Sequence, residues 1–142
     1  GSMADFIYIP AGGTILPTSE KTVQEGLHYI RMKGNETFKI AVRSIEEVSR
    51  EVITVSGLTA SDIDLYIPHQ ANRRIIEAVG TRLGLRPEQV YLNIDRVGNT
   101  SSASIPIALD EAVRSGRVHP GDILLFAAFG AGLTWGAALL RW

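Results

Sequence analysis

The sequence of 142 residues contains no cysteine, and this absence excludes several kinds of chemistry. The chain cannot supply a thiolate nucleophile, a disulfide or a thiolate ligand for a metal. Its three histidines, His28, His69 and His119, are widely spaced and include no His-x-x-x-His pair, so we expect no metal site. The lack of cysteine leaves the redox compartment open, and the cytoplasm is taken as the default location.

The sequence also lacks an excess of charge and a long hydrophobic run. The net charge is −1 and no dense run of Lys and Arg occurs, which argues against nucleic-acid binding. No apolar stretch approaches the roughly 18 residues that span a bilayer, and no secretory signal is recognisable. Residues 1–3 (GSM) are typical of an expression-tag remnant. The composition, 45% hydrophobic and 20% charged, predicts one soluble globular domain without a nucleic-acid or membrane partner.

The clearest periodic segment is a helix that begins near Gly34. Its apolar residues recur at spacings of three and four, which is typical of a helix that packs one face on a sheet. These residues are Phe38, Ala41, Val42, Ile45, Val48 and Val52. Asn35 is a predicted N-cap, and Gly57 is a predicted residue just past the helix end.

Short apolar runs alternate with helical segments in the rest of the chain. Strands are predicted at residues 6–9, 65–67, 90–94, 123–129 and 134–142, an extended piece at 27–32, a loop at 14–25, and helices at 70–83 and 100–113. The run at 65–67 does not alternate with polar residues, as expected for a strand buried on both faces. The order predicts an α/β fold: an α/β/α layered half-domain whose mixed, mostly parallel sheet has one antiparallel strand.

Two polar residues follow predicted strands close to the points where helices begin. His69 comes after the strand at 65–67, and Asn99 lies beyond the strand at 90–94. Ligands collect at the carboxyl ends of parallel strands, where an imidazole and a carboxamide could donate hydrogen bonds to one developing oxyanion. Each residue also has a plainer interpretation, since a local carbonyl could satisfy His69 and Asn99 could form an Asx turn or a helix cap.

Other familiar sites are disfavoured by the residues around them. The segment at 129–132 (FGAG) does not complete a G-x-G-x-x-G loop and precedes a predicted strand, so its glycines fit a hairpin or a pocket wall better than a dinucleotide site. No serine lies in a nucleophile elbow, which disfavours a Ser-His-Asp triad. Arg73 and Arg74 fit either a solvated helix face or a surface that steers an acidic partner.

Three segments closely resemble the C-terminal half of β-ketoacyl-acyl carrier protein synthase III, a thiolase-fold condensing enzyme that starts bacterial fatty-acid synthesis. They are residues 67–72 (IPHQAN), 95–104 (DRVGNTSSAS) and 126–136 (FAAFGAGLTWG). The likeness extends over residues 4–142. It implies that these residues form the thiolase-like C-terminal domain of such a synthase, without the cysteine-bearing N-terminal half.

The resemblance implies a Cys-His-Asn triad that condenses an acyl-CoA primer with malonyl-acyl carrier protein. His69 and Asn99 match the family residues that hold the malonyl thioester carbonyl and stabilise the enolate formed on loss of CO₂. Asn72, Gly34 and Phe129 match positions that line the pantetheine tunnel or the active site.

The resemblance further implies an acidic partner and no cofactor beyond the two substrates. Arg74 matches a basic residue implicated in docking the acyl carrier protein, and Arg73 is its neighbour. The chain has no cysteine, so we predict that it is inactive in condensation by itself. Exposure of the apolar face that the N-terminal half would cover is expected to favour a homodimer or other self-association.

Two alternatives stay open. The chain could be a non-catalytic module that binds acyl thioesters or the carrier protein, or half of a related polyketide or quinolone condensing enzyme. The acyl chain length of the primer cannot be read from these residues.

Overall fold

The computed structural model describes residues 3–142 and divides the chain into two compact units. One unit contains the residues up to Ile40 together with Gly130–Thr134, and the other contains Ala41–Phe129 and Trp135–Trp142. The second unit carries the larger sheet, so most of the predicted site residues lie in it.

The first unit contains a two-stranded antiparallel sheet and one short helix. β1 (Ile7–Tyr8) pairs with β2 (Arg31–Met32), and α1 spans Glu20–Gln24. The prediction of a loop over residues 14–25 is wrong for α1. Its start is fixed by a capping box, in which the Ser19 hydroxyl accepts from the Thr22 backbone and the Thr22 hydroxyl accepts from the Ser19 backbone. A helix this short shows no apolar period from which it could be predicted.

The long predicted helix is α2 (Gly34–Val55). It begins one residue before the predicted cap, because the Thr37 backbone N–H donates to the Lys33 carbonyl at 2.9 Å and already forms a helical bond. The predicted N-cap at Asn35 is therefore wrong. The predicted end is confirmed, since Gly57 has a φ of +70° and Leu58 donates to the Ile53 carbonyl at 3.1 Å.

The larger sheet contains three strands in the order β3, β4, β5. They are β3 (Leu65–Pro68), β4 (Ile123–Gly130) and β5 (Thr134–Arg141). β3 and β4 are parallel, with Ile67 opposite Phe126. All four residues of β3 are buried, which explains why the run does not alternate. The short link between β4 and β5 agrees with the predicted antiparallel hairpin, so the sheet is mixed.

The strand predicted at residues 90–94 is wrong in extent. The segment meets β3 through a single parallel bridge between Tyr66 and Val90 and through one bond from the Tyr91 N–H to the Tyr66 carbonyl at 2.9 Å. The chain then turns into α4 (Ile94–Val97). The Gln70 side-chain oxygen accepts from the backbone N–H groups of Asn93 and Ile94, at 3.0 and 3.3 Å. These two N–H groups are directed to a side chain instead of a strand.

Two helices start later than the sequence predicts. α3 spans Arg73–Leu83 rather than residues 70–83, because the Asn72 side chain caps it by accepting from the Arg74 N–H at 2.9 Å. α5 spans Ser104–Arg114 and follows a 3₁₀ turn at Ser101–Ala103. Further 3₁₀ turns lie at Ala60–Asp62 and Pro87–Gln89.

The core of the second unit lies between α5 and the sheet. Small residues on α5 let the helix approach the buried strands closely. The buried members of the core are Leu65, Ile67, Tyr91, Ala108, Ala112, Val118 and Leu124. On α3, Ile76, Val79 and Leu83 are buried, and Ile75 and Ala78 are half-buried.

Gly80 on α3 is a point of close approach. A Cβ atom built at this position would lie 2.8 Å from Cγ2 of Val90, a separation that real Cβ atoms do not adopt. Glycine therefore permits α3 to lie against the segment that leads from Val90 toward Asn99.

Candidate active site

His69 directly follows β3 and is held at both its backbone and its side chain. Its backbone N–H donates to the Ala127 carbonyl at 2.8 Å, which extends the pairing of β3 with β4. Its Nδ1 lies 2.5 Å from the Ser104 hydroxyl oxygen at the start of α5. The imidazole is half-buried. Burial lowers the pKa of His69 from its ordinary value of 6.5, so the neutral form is favoured.

The Gln70 side chain joins the end of β3 to the segment at residues 91–94. It was not singled out in the sequence. The side chain is fully buried and its nitrogen donates to the Pro68 and Tyr91 carbonyls at 3.0 and 3.2 Å. Its oxygen accepts the two backbone bonds from Asn93 and Ile94 described above. The signal in the sequence is a glutamine that directly follows a buried strand, because a buried amide must be hydrogen-bonded.

Asn99 lies on an exposed loop between α4 and the turn at Ser101–Ala103. Its side-chain oxygen accepts from the Ser101 N–H at 3.0 Å, which is the Asx turn considered as the plainer interpretation. The backbone on both sides has positive φ, +68° at Gly98 and +54° at Ser101. Positive φ at a serine stores strain of the kind often found at functional sites. The turn uses the amide oxygen, so the NH₂ group is the part that could meet a ligand.

Ser104 contacts His69 and lies shortly after Asn99 in the chain. Among residues 3–142 no hydrogen bond joins the two side chains directly. Ser104 follows Asn99 by five residues and contacts the His69 ring. Ser104 thus ties the start of α5 to the imidazole, and Asn99 lies five residues before this point in the chain.

A second anchor holds the segment before Asn99. The Glu111 carboxylate on α5 accepts from the Asn93 amide at 3.0 Å, from Arg96 at 2.7 Å and from the Tyr91 hydroxyl at 3.3 Å. The bond from Asn93 is the main cause of the lowered pKa of Glu111. The carboxylate thus fixes the chain from Tyr91 to Arg96, directly ahead of the loop.

The remaining predicted residues lie in different surroundings. Asn72 is exposed and caps α3, and Arg73 forms an ion pair with Glu77 at 2.7 Å. Arg74 lies on the exposed first turn of α3. Phe129 is buried and stacks on Trp135 with ring centroids 6.2 Å apart.

Gly34 and the two other histidines complete the residues named from the sequence. Gly34 is the first residue of α2 and belongs to the first unit. His28 and His119 are exposed, and His119 lies 3.5 Å from Asp122.

Two kinds of feature are absent from residues 3–142. Within residues 3–142, no group of three or more acidic or histidine side chains is arranged to hold a metal ion. None of the helices in this part of the chain is long and apolar enough to cross a membrane.

The sequence model of the family "3-Oxoacyl-[acyl-carrier-protein (ACP)] synthase III C terminal" matches residues 53–142. The chain belongs to this family. The match includes β3, α3, the Asn99 loop, α5 and the β4–β5 hairpin, and the resemblance noted from the sequence is therefore confirmed.

Relatives of the synthase III family extend the match to nearly the whole chain. The β-ketoacyl-[acyl-carrier-protein] synthase III of Symbiobacterium thermophilum is 57% identical over 136 residues, which cover 96% of this chain and 41% of the relative. The solved synthase III of Thermus thermophilus is 46% identical, with a TM-score of 0.84 over 100% of this chain and 43% of that one. The priming β-ketosynthase of a polyketide pathway is 36% identical, with a TM-score of 0.78 over 99% of this chain and 42% of that one.

These comparisons confirm the thiolase-like α/β fold. They also show that the chain spans about two fifths of the length of the relatives it matches. The activity of a whole synthase III therefore belongs to the proposal that follows.

Proposed function

We propose that residues 4–142 are the C-terminal half of a cytoplasmic β-ketoacyl-acyl carrier protein synthase III that condenses an acyl-CoA primer with malonyl-acyl carrier protein. The observation that carries this proposal is a half-buried imidazole that directly follows β3 and is held by the Ser104 hydroxyl, five residues after Asn99 in the chain. Burial lowers the pKa of this imidazole, and a neutral imidazole whose proton is on Nε2 can donate a hydrogen bond to a developing oxyanion.

In the proposed reaction, a cysteine from sequence outside this chain first takes the acyl group from CoA. The malonyl thioester then loses CO₂, and the electron pair of the broken C–C bond forms an enolate. Its oxygen accepts hydrogen bonds from His69 Nε2–H and from the Asn99 amide. The enolate carbon attacks the acyl thioester, a new C–C bond forms, and the cysteine leaves as a thiolate. No cofactor takes part in these steps.

The remaining residues are assigned to substrate and partner contacts. Asn72, Gly34 and Phe129 would line the path of the pantetheine arm. Arg73 and Arg74 would attract the acidic carrier protein to the N-terminal end of α3. Arg73 is paired with Glu77, so an acidic group on the carrier must compete with that carboxylate.

The proposal is tested by joining this chain to the cysteine-bearing N-terminal half of the Symbiobacterium thermophilum relative. Condensation is measured as ketoacyl product formed from acyl-CoA and malonyl-acyl carrier protein. We expect turnover by the fused protein and none by this chain alone, because it has no cysteine. His69→Ala and Asn99→Ala should each reduce turnover by about 10²–10³-fold, the effect of losing one oxyanion donor. The exposed His119→Ala is the matched control.

A non-catalytic binding module is the alternative from another class. It predicts that the carrier protein binds the chain while every fusion stays inactive, and that His69→Ala leaves binding unchanged. Release of CO₂ from a malonyl thioester by this chain alone would indicate a third function, decarboxylation without condensation. A related polyketide role would be indicated by a preference for primers of that pathway.

We further propose that two copies associate through the face that would meet the N-terminal half. Three apolar side chains in or just after β5, Trp135, Leu140 and Trp142, are 46%, 42% and 43% exposed, and exposed apolar side chains of this size favour association. Analytical ultracentrifugation of the chain alone should show a dimer or larger species. A clean monomer at high concentration would contradict the proposal.

A further inference from the structure

Ser104 is a buried side chain that contacts the proposed catalytic histidine and has no assigned role. It is the first residue of α5 and is 0% exposed. Its hydroxyl oxygen has two described contacts, the Gln70 backbone N–H at 3.3 Å and His69 Nδ1 at 2.5 Å.

The donors and acceptors at these two contacts can be assigned. A backbone N–H can only donate, so the Ser104 oxygen accepts from Gln70. The Ser104 hydroxyl then donates its proton to His69 Nδ1. The opposite assignment, in which Nδ1–H donates to the serine, would leave a buried hydroxyl proton without an acceptor, which is unfavourable.

We infer that Ser104 is a positioning residue that fixes His69 as the tautomer with its proton on Nε2 and aims that N–H at the substrate oxygen. This inference rests on the proposed function, because the ring needs a directed donor only if it contacts the enolate. Removal of the hydroxyl would let the ring rotate and exchange tautomers, so the donor would be present in the right place only part of the time.

The first test is an NMR measurement on the chain labelled with ¹⁵N-histidine. Long-range ¹H–¹⁵N correlations at neutral pH should show His69 with a protonated Nε2 and an unprotonated Nδ1. In Ser104→Ala, the two nitrogens should move toward the averaged shifts of a ring that samples both tautomers. Ser115→Ala, which removes a hydroxyl bonded to the Ala112 carbonyl at the other end of α5, should leave His69 unchanged. A proton on Nδ1 in the original chain, or identical His69 signals in Ser104→Ala, would overturn the inference.

The second test uses the fused synthase. Loss of one net hydrogen bond should lower kcat by roughly two- to tenfold in Ser104→Ala with little change in KM for the malonyl thioester. Ser104→Thr, which keeps the hydroxyl, should restore kcat. If Ser104→Ala does not fold, the tautomer of the original chain and the activity of Ser104→Thr still decide the question.

The two proposals fail in different ways. Unchanged turnover in His69→Ala would remove the proposed function, while the NMR result would still decide whether Ser104 sets the tautomer.

Discussion

The two proposed oxyanion donors are held by different means. His69 is held by contacts from distant parts of the sequence, the Ala127 carbonyl on β4 and the buried Ser104 hydroxyl on α5. Asn99 is held by its own loop, through a bond to the Ser101 N–H and a backbone with positive φ on both sides. The imidazole therefore depends on the packing of the unit, whereas the carboxamide depends on local backbone geometry and on the anchors at the two ends of its loop.

Gln70 contacts both the segment that carries His69 and the segment that leads to Asn99. Its side-chain nitrogen contacts the end of β3, next to His69, and its oxygen contacts the start of α4, on the path to Asn99. A perturbation of this side chain should affect both donors, and a perturbation of Glu111 or Ser101 should affect Asn99 alone.

The largest effect on stability is expected for Gln70→Ala. Two buried carbonyls and two backbone N–H groups would lose their partner, so the free energy of unfolding should fall by about 2–4 kcal/mol. Urea unfolding followed by circular dichroism measures the change. Gln24→Ala, at an exposed position on α1, is the matched control. A loss no larger than that of the control would show that the sheet and α4 hold their positions without Gln70.

A smaller effect is expected for Glu111→Ala. The buried Asn93 amide would lose its acceptor, so we expect a loss of about 1–2 kcal/mol in unfolding free energy. Asp110→Ala removes the neighbouring carboxylate, which is exposed and paired with Arg114, and should cause no measurable change. In the fused synthase, the NMR tautomer of His69 should stay the same in Glu111→Ala while turnover falls. A changed tautomer would mean that the Glu111 contacts also affect His69.

Opposite changes are expected at two adjacent serines of the Asn99 loop. Ser101 has a φ of +54°, so Ser101→Gly should relieve strain and raise the unfolding free energy by up to about 1 kcal/mol. Ser102, the next residue, does not have positive φ, so Ser102→Gly should lower it by about 0.5–1 kcal/mol. Both values come from urea unfolding. Equal changes in the same direction would contradict strain at Ser101.

The smallest effect concerns pH. Burial lowers the pKa of His69 in the folded chain, so protonation favours the unfolded chain. The contribution of His69 to stability is therefore fully present above the unfolded pKa of 6.5 and is lost as the pH falls below it. Unfolding free energies measured from pH 8 down to pH 5 should decline less steeply in His69→Gln than in the original chain. The same slope in both proteins would argue against a lowered pKa.

The sequence was sufficient to predict the elements with a strong pattern. The period of α2 predicted its length and its end at Gly57, and the uninterrupted apolar run of β3 predicted its burial. The predicted strand at residues 90–94 was shortened because the Gln70 side chain takes the N–H groups of Asn93 and Ile94. The composition favoured a strand there, but Gln70, more than 20 positions away, takes the N–H groups that a longer strand would need.

The sequence singled out His69 and Asn99 as candidates for the site, and it did not single out the residues that hold them. His69 and Asn99 stand out because they are polar residues that follow predicted strands, where ligands collect in parallel sheets. Ser104 and Gln70 do not stand out, because their importance depends on bonds across 35 and 23 residues of sequence that no local pattern contains. The Asx turn at Asn99 was considered from the sequence and is present, which accounts for the amide oxygen but not for the NH₂ group.

Because Gly80 has no side chain, the backbone of α3 packs directly against the Val90 side chain. A methyl group there would act as a wedge, and the segment it displaced continues into the chain that delivers the carboxamide. Alanine at this position should therefore impair turnover in the fused protein more than its distance from the imidazole would suggest. The distance between α3 and the Val90 segment would then control the position of Asn99 without changing the contacts of His69.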